Sequence, residues 1–353
     1  MAPPTTMRVL KAQGDGTAKY TDAPIPKLRP DYMLIKTTAL AINPTDWKHI
    51  GFVKTPNCTI GCDYAGEIIE IGSEVTRPFK KGDHVFGFSH GGNEVYPEDG
   101  AFGEYLTVKG DVQLRVPEGL SDVEAASMGV ALLTCGQGMY QLMGLPLPTE
   151  PTKEMFPILI YGGSGSTGAI AIRLAKLSGL EVITTCSPHN FETVKSLGAD
   201  AVFDYKEPNV GAKIREHTKN KLYHAFDTIS EHSSHLICAD ALSTDTSSAQ
   251  KPKYGSILPT KSGRSDVIDT YSLGYTVVGE AFRFGPRKIA AKPEDYEFMR
   301  GFMGDVLQPL LDEGKLRPHR IEVKGGLGDV LSGLEDMKAG KVSGCKWVYK
   351  VGE

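Results

Sequence analysis

The chain has 353 residues, 40% hydrophobic and 23% charged, with a formal net charge of −4 at pH 7 and a pI near 6.2. That length supports two domains with cores of their own, and the composition is that of a soluble globular protein. The slight acidity gives nucleic acid or an anionic membrane no electrostatic reason to bind. Residues 1–13 hold no apolar secretory core, and no apolar run approaches the roughly 20 residues of a membrane helix. The six cysteines (Cys58, Cys62, Cys135, Cys186, Cys238 and Cys345) are scattered, which suits reduced thiols in a cytoplasmic protein better than a disulfide framework.

Residues 7–120 read as mostly strand and turn. Residues 7–12 and 32–37 alternate as half-buried strands do, 64–72 is a further strand, and 81–87 is a turn into another. Helical periodicity is scarce there. Ser121-Asp-Val-Glu124 has capping-box spacing, and 125–143, rich in Ala, Leu and Met and broken by glycines, predicts two successive helices. A polar linker, 149–155, leads into the central stretch.

That stretch, 156–186, reads as strand, glycine turn, helix, strand. Ile158–Tyr161 is a β-branched apolar run, Gly163, Gly165 and Gly168 spell G-x-G-x-x-G with Ser164, Ser166 and Thr167 between them, and an amphipathic helix runs to Gly179. In this context the glycines have a mechanism: a tight turn, a close approach to a pyrophosphate, and close packing of helix on strand, with the helix N-terminus facing the anion. An NAD site places an acid at the end of the second strand. Here that strand runs into Cys186-Ser187-Pro188-His189-Asn190. Ser187 and Asn190 are donors for a 2′-phosphate, His189 joins them when protonated, and Tyr205 and Lys206 at the end of a third strand add a phenol and an ammonium. NADPH is therefore the expected cofactor. The other reading makes Ser187-Pro188 a helix cap only.

From 156 to about 285 strands (158–161, 182–185, 201–204, 224–228, 254–258, 275–279) alternate with helices (190–197, 209–218, 233–242), which predicts a doubly wound parallel sheet. A long helix is expected over 294–313, then short strands and one helix, 328–339. The fold class is α/β, with both chain ends in one β-rich lobe.

Ala41-Ile-Asn-Pro-Thr-Asp46, Gly61-Cys-Asp-Tyr-Ala-Gly-Glu-Ile68, Gly82-Asp-His-Val85, Gly100-Ala-Phe-Gly-Glu-Tyr105, the glycine motif and Leu197-Gly-Ala-Asp200, in that order, resemble the medium-chain dehydrogenase/reductase superfamily across essentially the whole chain. Gly144-Leu-Pro-Leu-Pro148, Thr185 to Phe191 and Phe203-Asp-Tyr205 most resemble the stand-alone, trans-acting enoyl reductases of fungal polyketide synthases, of the lovastatin-pathway type. The resemblance implies a Rossmann doubly wound parallel-sheet domain that binds NADP, 129–287, and a β-rich GroES-like domain for substrate and catalysis, 1–128 plus 288–353. Zinc members of the superfamily carry a Cys where Asn43 to Asp46 stands, a His-Glu pair where Cys62-Asp63 stands, and a four-Cys lobe near 90–105. Residues 89–101 hold no cysteine, so no metal is expected.

The same resemblance supplies site expectations. A lysine at the place of Lys48 belongs to a cofactor-contacting segment, so Thr45, Asp46, Trp47 and Lys48 are cofactor candidates, with Lys48 also the catalytic candidate. Thr45 and Asp46 contact the ribose or order the loop. Leu258, Pro259, Val342 and Ser343 are expected at the nicotinamide end. One substrate wall would be Thr134, Cys135, Gly136, Gln137, Gly138, Met139, Tyr140 and Gln141. The other would be Thr276, Val277, Val278, Gly279 and Glu280. The proton donor is open among Lys48, Cys62, Tyr140 and ordered water.

Three functions compete. The first is NADPH-dependent reduction of a polyketide enoyl thioester held by a synthase's acyl carrier domain, in secondary metabolism. The second is reduction of free quinones or enones, and the third is NADPH binding without catalysis. A monomer is expected, with a homodimer as the alternative: Pro286 and the cations around it discourage edge pairing of the strand at 275–279. For docking an acidic carrier, Arg283, Arg287, Lys288 and Lys292 are the first candidates, and Lys315, Arg317 and Arg320 the second.

Overall fold

The computed structural model describes residues 4–245, 247 and 249–352; residues 1–3, 246, 248 and 353 of the expected domain ranges lie outside them. The chain forms two compact units, Met1–Val130 with Tyr275–Glu353, and Ala131–Gly274.

In the first unit a seven-stranded sheet runs Ile321–Gly326, Lys346–Lys350, Tyr32–Ala41, Asp63–Ile71, His84–Phe88, Leu114–Arg115, and Tyr105–Lys109 pairs with Tyr32–Ala41 as well. The C-terminal strand lies antiparallel to Tyr32–Ala41, with Val348 opposite Ala41, which brings the two chain ends into one core. Tyr64, Phe102, Ile42, Leu334 and Tyr349 are buried together there. Expulsion of such apolar area from water is the main force joining segments so distant in sequence.

One helix in this unit departs from the strand-and-turn expectation. Pro44–Phe52 is helical. Asn43 is its extended N-cap, Pro44 occupies the first turn, and the Asp46 carboxylate accepts the Asn43 N–H at 2.6 Å. The cue was legible: Asn-Pro-x-Asp is a helix-start signature. The cap at Ser121 forms as expected, with Glu124 accepting the Ser121 N–H at 2.9 Å. The predicted long helix is continuous through Pro293–Gly301, Phe302–Leu307 and Gln308–Asp312, its middle widened to π geometry ahead of Pro309, which has no N–H to donate.

The second unit holds a six-stranded sheet ordered Ala201–Asp204, Glu181–Cys186, Pro157–Tyr161, His224–Asp227, Lys253–Ser256, Ile268–Tyr271, every pair parallel. Helices Ser166–Leu177, Phe191–Ser196, Val210–His217 and Ser234–Ala241 alternate with the strands. Strand order reverses at Pro157–Tyr161, so the crevice for a ligand opens beyond its carboxyl end.

The sixth strand corrects the expectation for 275–279. The strand is Ile268–Tyr271, and Gly274–Val278 is a 3-10 turn. The β-branched run Thr276-Val277-Val278 has strand propensity, but it is closed by Gly279 at φ +72°, and its Thr276 hydroxyl bonds the Asp295 carboxylate. Val277 and Val278 are buried, so tertiary packing overrides propensity here. The edge-strand argument for a monomer therefore loses its premise. Among the described residues no helix is long and apolar enough to cross a membrane.

Candidate functional site

In the Ala131–Gly274 unit the glycines divide the work. A Cβ on Gly163 would lie 2.1 Å from Thr184 Oγ1, and one on Gly168 would lie 2.3 Å from the Gly162 carbonyl oxygen, so both are required by packing. A Cβ on Gly165 would meet only Gly162 O, at 3.5 Å; its missing side chain leaves open space. Gly162, at φ +85°, makes the turn out of the strand, and its N–H donates to Thr185 Oγ1 at 3.1 Å. Gly165 is the N-cap of Ser166–Leu177, and no side chain caps that helix. Backbone N–H groups of Ser166, Thr167 and Gly168 thus lie at a positive helix end beside half-buried Ser164, a fit for pyrophosphate.

At the end of the second strand Ser187 is half-buried, with Oγ 3.5 Å from the Tyr205 hydroxyl. Pro188 and His189 are exposed, and Asn190 Nδ2 lies 3.2 Å from His189 Nε2. Lys206 is exposed beside the Tyr205 ring. Asp204 is an acid on this rim, and its carboxylate accepts the Lys206 N–H at 3.0 Å. The structure thus gathers Ser187, His189, Asn190 and Tyr205 at the ends of neighbouring strands.

Sequence reasoning missed Thr228, Ile229 and Ser230 on the same edge. Thr228 Oγ1 donates to Tyr161 O at 2.8 Å, and the exposed Ile229 side chain stands where a Cβ on Gly162 would go. Buried Asp227 organises this turn by accepting from Ile229 N, Ser230 N, Ser234 Oγ and Tyr254 Oη. The readable signal was an Asp followed by hydroxyl residues at a strand end. Leu258 and Pro259 form the next turn on this edge, tied to it by the Ile257 N–H donating to Ser230 Oγ at 2.9 Å.

Within 134–141 most side chains face the interior of this unit. Cys135 is buried, its thiol is pushed up by burial, and Sγ lies 3.5 Å from Thr167 O. The Tyr140 hydroxyl lies 3.0 Å from Ser178 Oγ, and Gly138 makes room for the Phe226 ring. Gly136, Gln137 and Met139 are buried, while Thr134 and Gln141 are half-buried.

In the other unit the helix Pro44–Phe52 carries Thr45, Asp46, Trp47 and Lys48. Lys48 is half-buried, its ammonium 5.5 Å from the Trp47 ring. Asp46 is fully buried, which fits ordering of the loop rather than contact with a ribose; burial above all, then the neighbouring Asp63, pushes its carboxyl up to about 7. Thr45 Oγ1 lies 2.6 Å from the Tyr275 hydroxyl, which is 3.0 Å from His49 Nε2. Burial holds His49 neutral, down to about 4. Val342 packs on the core and Ser343 is exposed, in the loop before Lys346–Lys350. Of 276–280, Thr276 is tied to Asp295, and Glu280 accepts from Tyr32 Oη at 2.9 Å and faces Lys109 at 3.3 Å. Val277, Val278 and Gly279 complete that turn.

Comparison with known proteins places this arrangement. The alcohol dehydrogenase GroES-like domain family matches residues 29–118, and the zinc-binding dehydrogenase family matches 166–245. A trans-enoyl reductase from Alternaria alternata is 43% identical over 98% of this chain and 99% of its own. The chain belongs to the trans-enoyl reductases. Another, from Cochliobolus carbonum, is 53% identical over 74% of this chain and 86% of its own. The solved quinone oxidoreductase from Coxiella burnetii is similar in fold, with TM-score 0.70 and 26% identity, covering 98% of this chain and all of that one. The reductase is a medium-chain dehydrogenase/reductase with GroES-like and Rossmann domains, and its cofactor is a nicotinamide dinucleotide.

The zinc of the wider family does not fit the reductase. Where zinc relatives hold their metal, Asp63 is ion-paired with the Lys346 ammonium at 2.8 Å, and Asn43 bonds both, donating to Asp63 at 2.9 Å and accepting from Lys346. The Cys62 thiol is held well above its usual range by burial and by Asp46. One thiol beside an ion-paired ammonium is no ligand set for zinc, which needs three or four convergent donors. Among the described residues no cluster of three His, Cys, Asp or Glu side chains could hold a metal.

Proposed function

We propose that this trans-enoyl reductase uses NADPH to reduce the α,β-double bond of a polyketide thioester carried on the acyl carrier domain of a partner synthase, in fungal secondary metabolism. The observation that carries the reading is the whole-length likeness to the Alternaria alternata trans-enoyl reductase. NADPH, rather than NADH, is supported by the Ser187, His189, Asn190 and Tyr205 group beside the glycine loop. When bound, the dinucleotide supplies a hydride to the β-carbon.

The chain's own groups do the rest. The helix that starts at Ser166 holds the pyrophosphate, and Gly165 lets it approach. Lys48 is the candidate catalytic contact at the reacting end, with Thr45 and Trp47 beside it. Enoyl reduction needs a hydride, a proton and polarisation of the carbonyl, and no Lewis acid is required.

We propose a monomer in solution. The edge strand Ile268–Tyr271 has four residues, and a short edge resists pairing; exposed Ile268 and Tyr271 work against this, so sedimentation at micromolar concentration is the check.

A second reading, reduction of free quinones or enones, is favoured by the likeness to the Coxiella burnetii structure. Cofactor oxidation against a panel of enoyl thioesters, free enones and quinones separates the readings. Thioesters turned over fastest support carrier-bound reduction, and quinones turned over fastest support the second reading. Cofactor binding without turnover of any of them leaves a non-catalytic binding protein.

A further inference from the structure

Reduction of an enoyl thioester leaves an enolate whose α-carbon must take a proton. We propose that the phenol of Tyr275 is that proton donor, aimed by Thr45 and His49; the inference rests on the enoyl-reductase reading of the site.

Five rings grip Tyr275 within its own unit. Ring centroids lie at 4.6 Å for His90, 5.1 Å for Phe284, 5.3 Å for His49, 5.6 Å for Phe88 and 6.0 Å for Phe282. A phenol clamped on several sides loses little freedom when it acts, and that preorganisation is what proton transfer needs. The residue remains half-buried, while His49, His90, Cys62 and Asp46 behind it are buried. Its hydroxyl touches Thr45 Oγ1 at 2.6 Å and His49 Nε2 at 3.0 Å, and it faces the Cys62 thiol. His90 does not compete for it, since neither His90 ring nitrogen makes a hydrogen bond among the described residues.

The placement relative to the proposed cofactor segment is the second argument. Thr45, which holds the hydroxyl, lies in the same helical turn as Lys48. Tyr275 is thus bonded to the helical turn that carries the proposed catalytic Lys48.

The step balances. After hydride addition to the β-carbon, the π electrons lie on the enolate. The Tyr275 O–H bond breaks, a C–H bond forms at the α-carbon, and the electron pair of the broken bond remains on the phenolate. Thr45 donates a hydrogen bond to that oxygen. The half-buried phenolate then recovers its proton from solvent. Transfer from a phenol to an enolate carbon is downhill, so an unusually acidic tyrosine is not required.

The experiment compares wild type with Tyr275→Phe on a free enoyl thioester, reading kcat, the cofactor dissociation constant and the solvent deuterium isotope effect. Expected is a loss of kcat of about 100-fold or more, an unchanged dissociation constant, and a larger solvent isotope effect on the residual turnover. Tyr275→Phe with kcat within about threefold of wild type overturns the proposal. If Tyr275→Phe fails to fold, difluorotyrosine at position 275, which keeps the ring's size and acidifies the phenol, is read by its pH–rate profile. A basic limb that moves down by about one pH unit or more supports the proposal, and an unmoved limb overturns it. Wild type that turns over no enoyl thioester defeats the reading of the site instead, a result distinct from a fully active Tyr275→Phe.

Discussion

Lys346 Nζ lies 2.8 Å from Asp63 Oδ2, with the lysine side chain 3% exposed and the aspartate 0%. Strands from opposite ends of the chain supply the two charges, and Asn43 bonds both. The Val130 N–H donates to the other Asp63 oxygen at 2.6 Å, so both carboxylate oxygens are engaged. Removing one partner of such a pair leaves an uncompensated buried charge. Lys346→Met is expected to lower the unfolding free energy by about 3–5 kcal/mol. Lys346→Met with Asp63→Leu should recover part of that loss. Guanidinium denaturation of the three proteins is the measurement; a loss under about 1 kcal/mol in Lys346→Met would show the pair to be dispensable.

Asp46 and His49 sit on one helix and give the stability opposite pH dependences. The Asp46 carboxyl is raised from 3.8 to about 7, so between about pH 4 and 7 the folded state holds a proton the unfolded chain has released, and stability falls as pH rises. His49 is lowered from 6.5 to about 4, so the unfolded chain binds the extra proton, and stability falls as pH drops below about 6.5. Asp46→Asn keeps an acceptor for the Asn43 N–H and removes the first dependence. At pH 8 it should be more stable than wild type by up to about 4 kcal/mol, since each tenfold change in proton affinity between the folded and unfolded chain is worth about 1.4 kcal/mol. Urea titrations at pH 5 and pH 8 check this, and equal midpoints for the two proteins at pH 8 would count against it.

Ser187 stands at the end of the second strand, 3.5 Å from the Tyr205 hydroxyl. Ser187→Asp places a carboxylate where a 2′-phosphate is expected. NADPH affinity should weaken at least about tenfold, or 1.4 kcal/mol, and NADH affinity should not. Fluorescence titration of both cofactors against both proteins gives the four constants. Wild type that binds NADH as tightly as NADPH refutes the proposed cofactor choice.

Phe282–Phe284 and Arg287–Ile289 form a hairpin in which Arg283 lies directly opposite Lys288. Like charges across a strand pair are destabilising, and Phe282 and Phe284 hold this hairpin against the Tyr275 ring nonetheless. Arg283, Arg287, Lys288 and Lys292 are all exposed, whereas in the second cluster Lys315 pairs with Glu313 and Arg320 with Glu322. The hairpin is therefore the better docking candidate for an acidic carrier. Arg287→Glu with Lys288→Glu should slow reduction of a carrier-bound substrate through weaker association and leave a short free thioester nearly unaffected. Equal slowing of both substrates would assign these residues to the fold instead.

The nucleotide half was legible because its information is local. A buried β-branched strand, three glycines at fixed spacing and an amphipathic helix state their packing within about twenty residues, and in the structure two of the glycines are required by packing while Gly165 leaves open space. The strand expected at 275–279 shows the limit of local patterns. Thr276, Val277 and Val278 have strand propensity, but burial of the two valines and the bond from Thr276 to Asp295 decided for a turn. The helix carrying Lys48 was signalled by its cap, yet the apolar periodicity around it is weak, so the pattern alone did not reveal it. What no local pattern contains is the meeting of Lys346 with Asp63, or of Tyr275 with Thr45 and His49. Those partners are brought together by strand pairing and core burial across most of the chain, and the energies that hold them, a desolvated ion pair and clamped hydroxyls, exist only once water has been excluded by the fold.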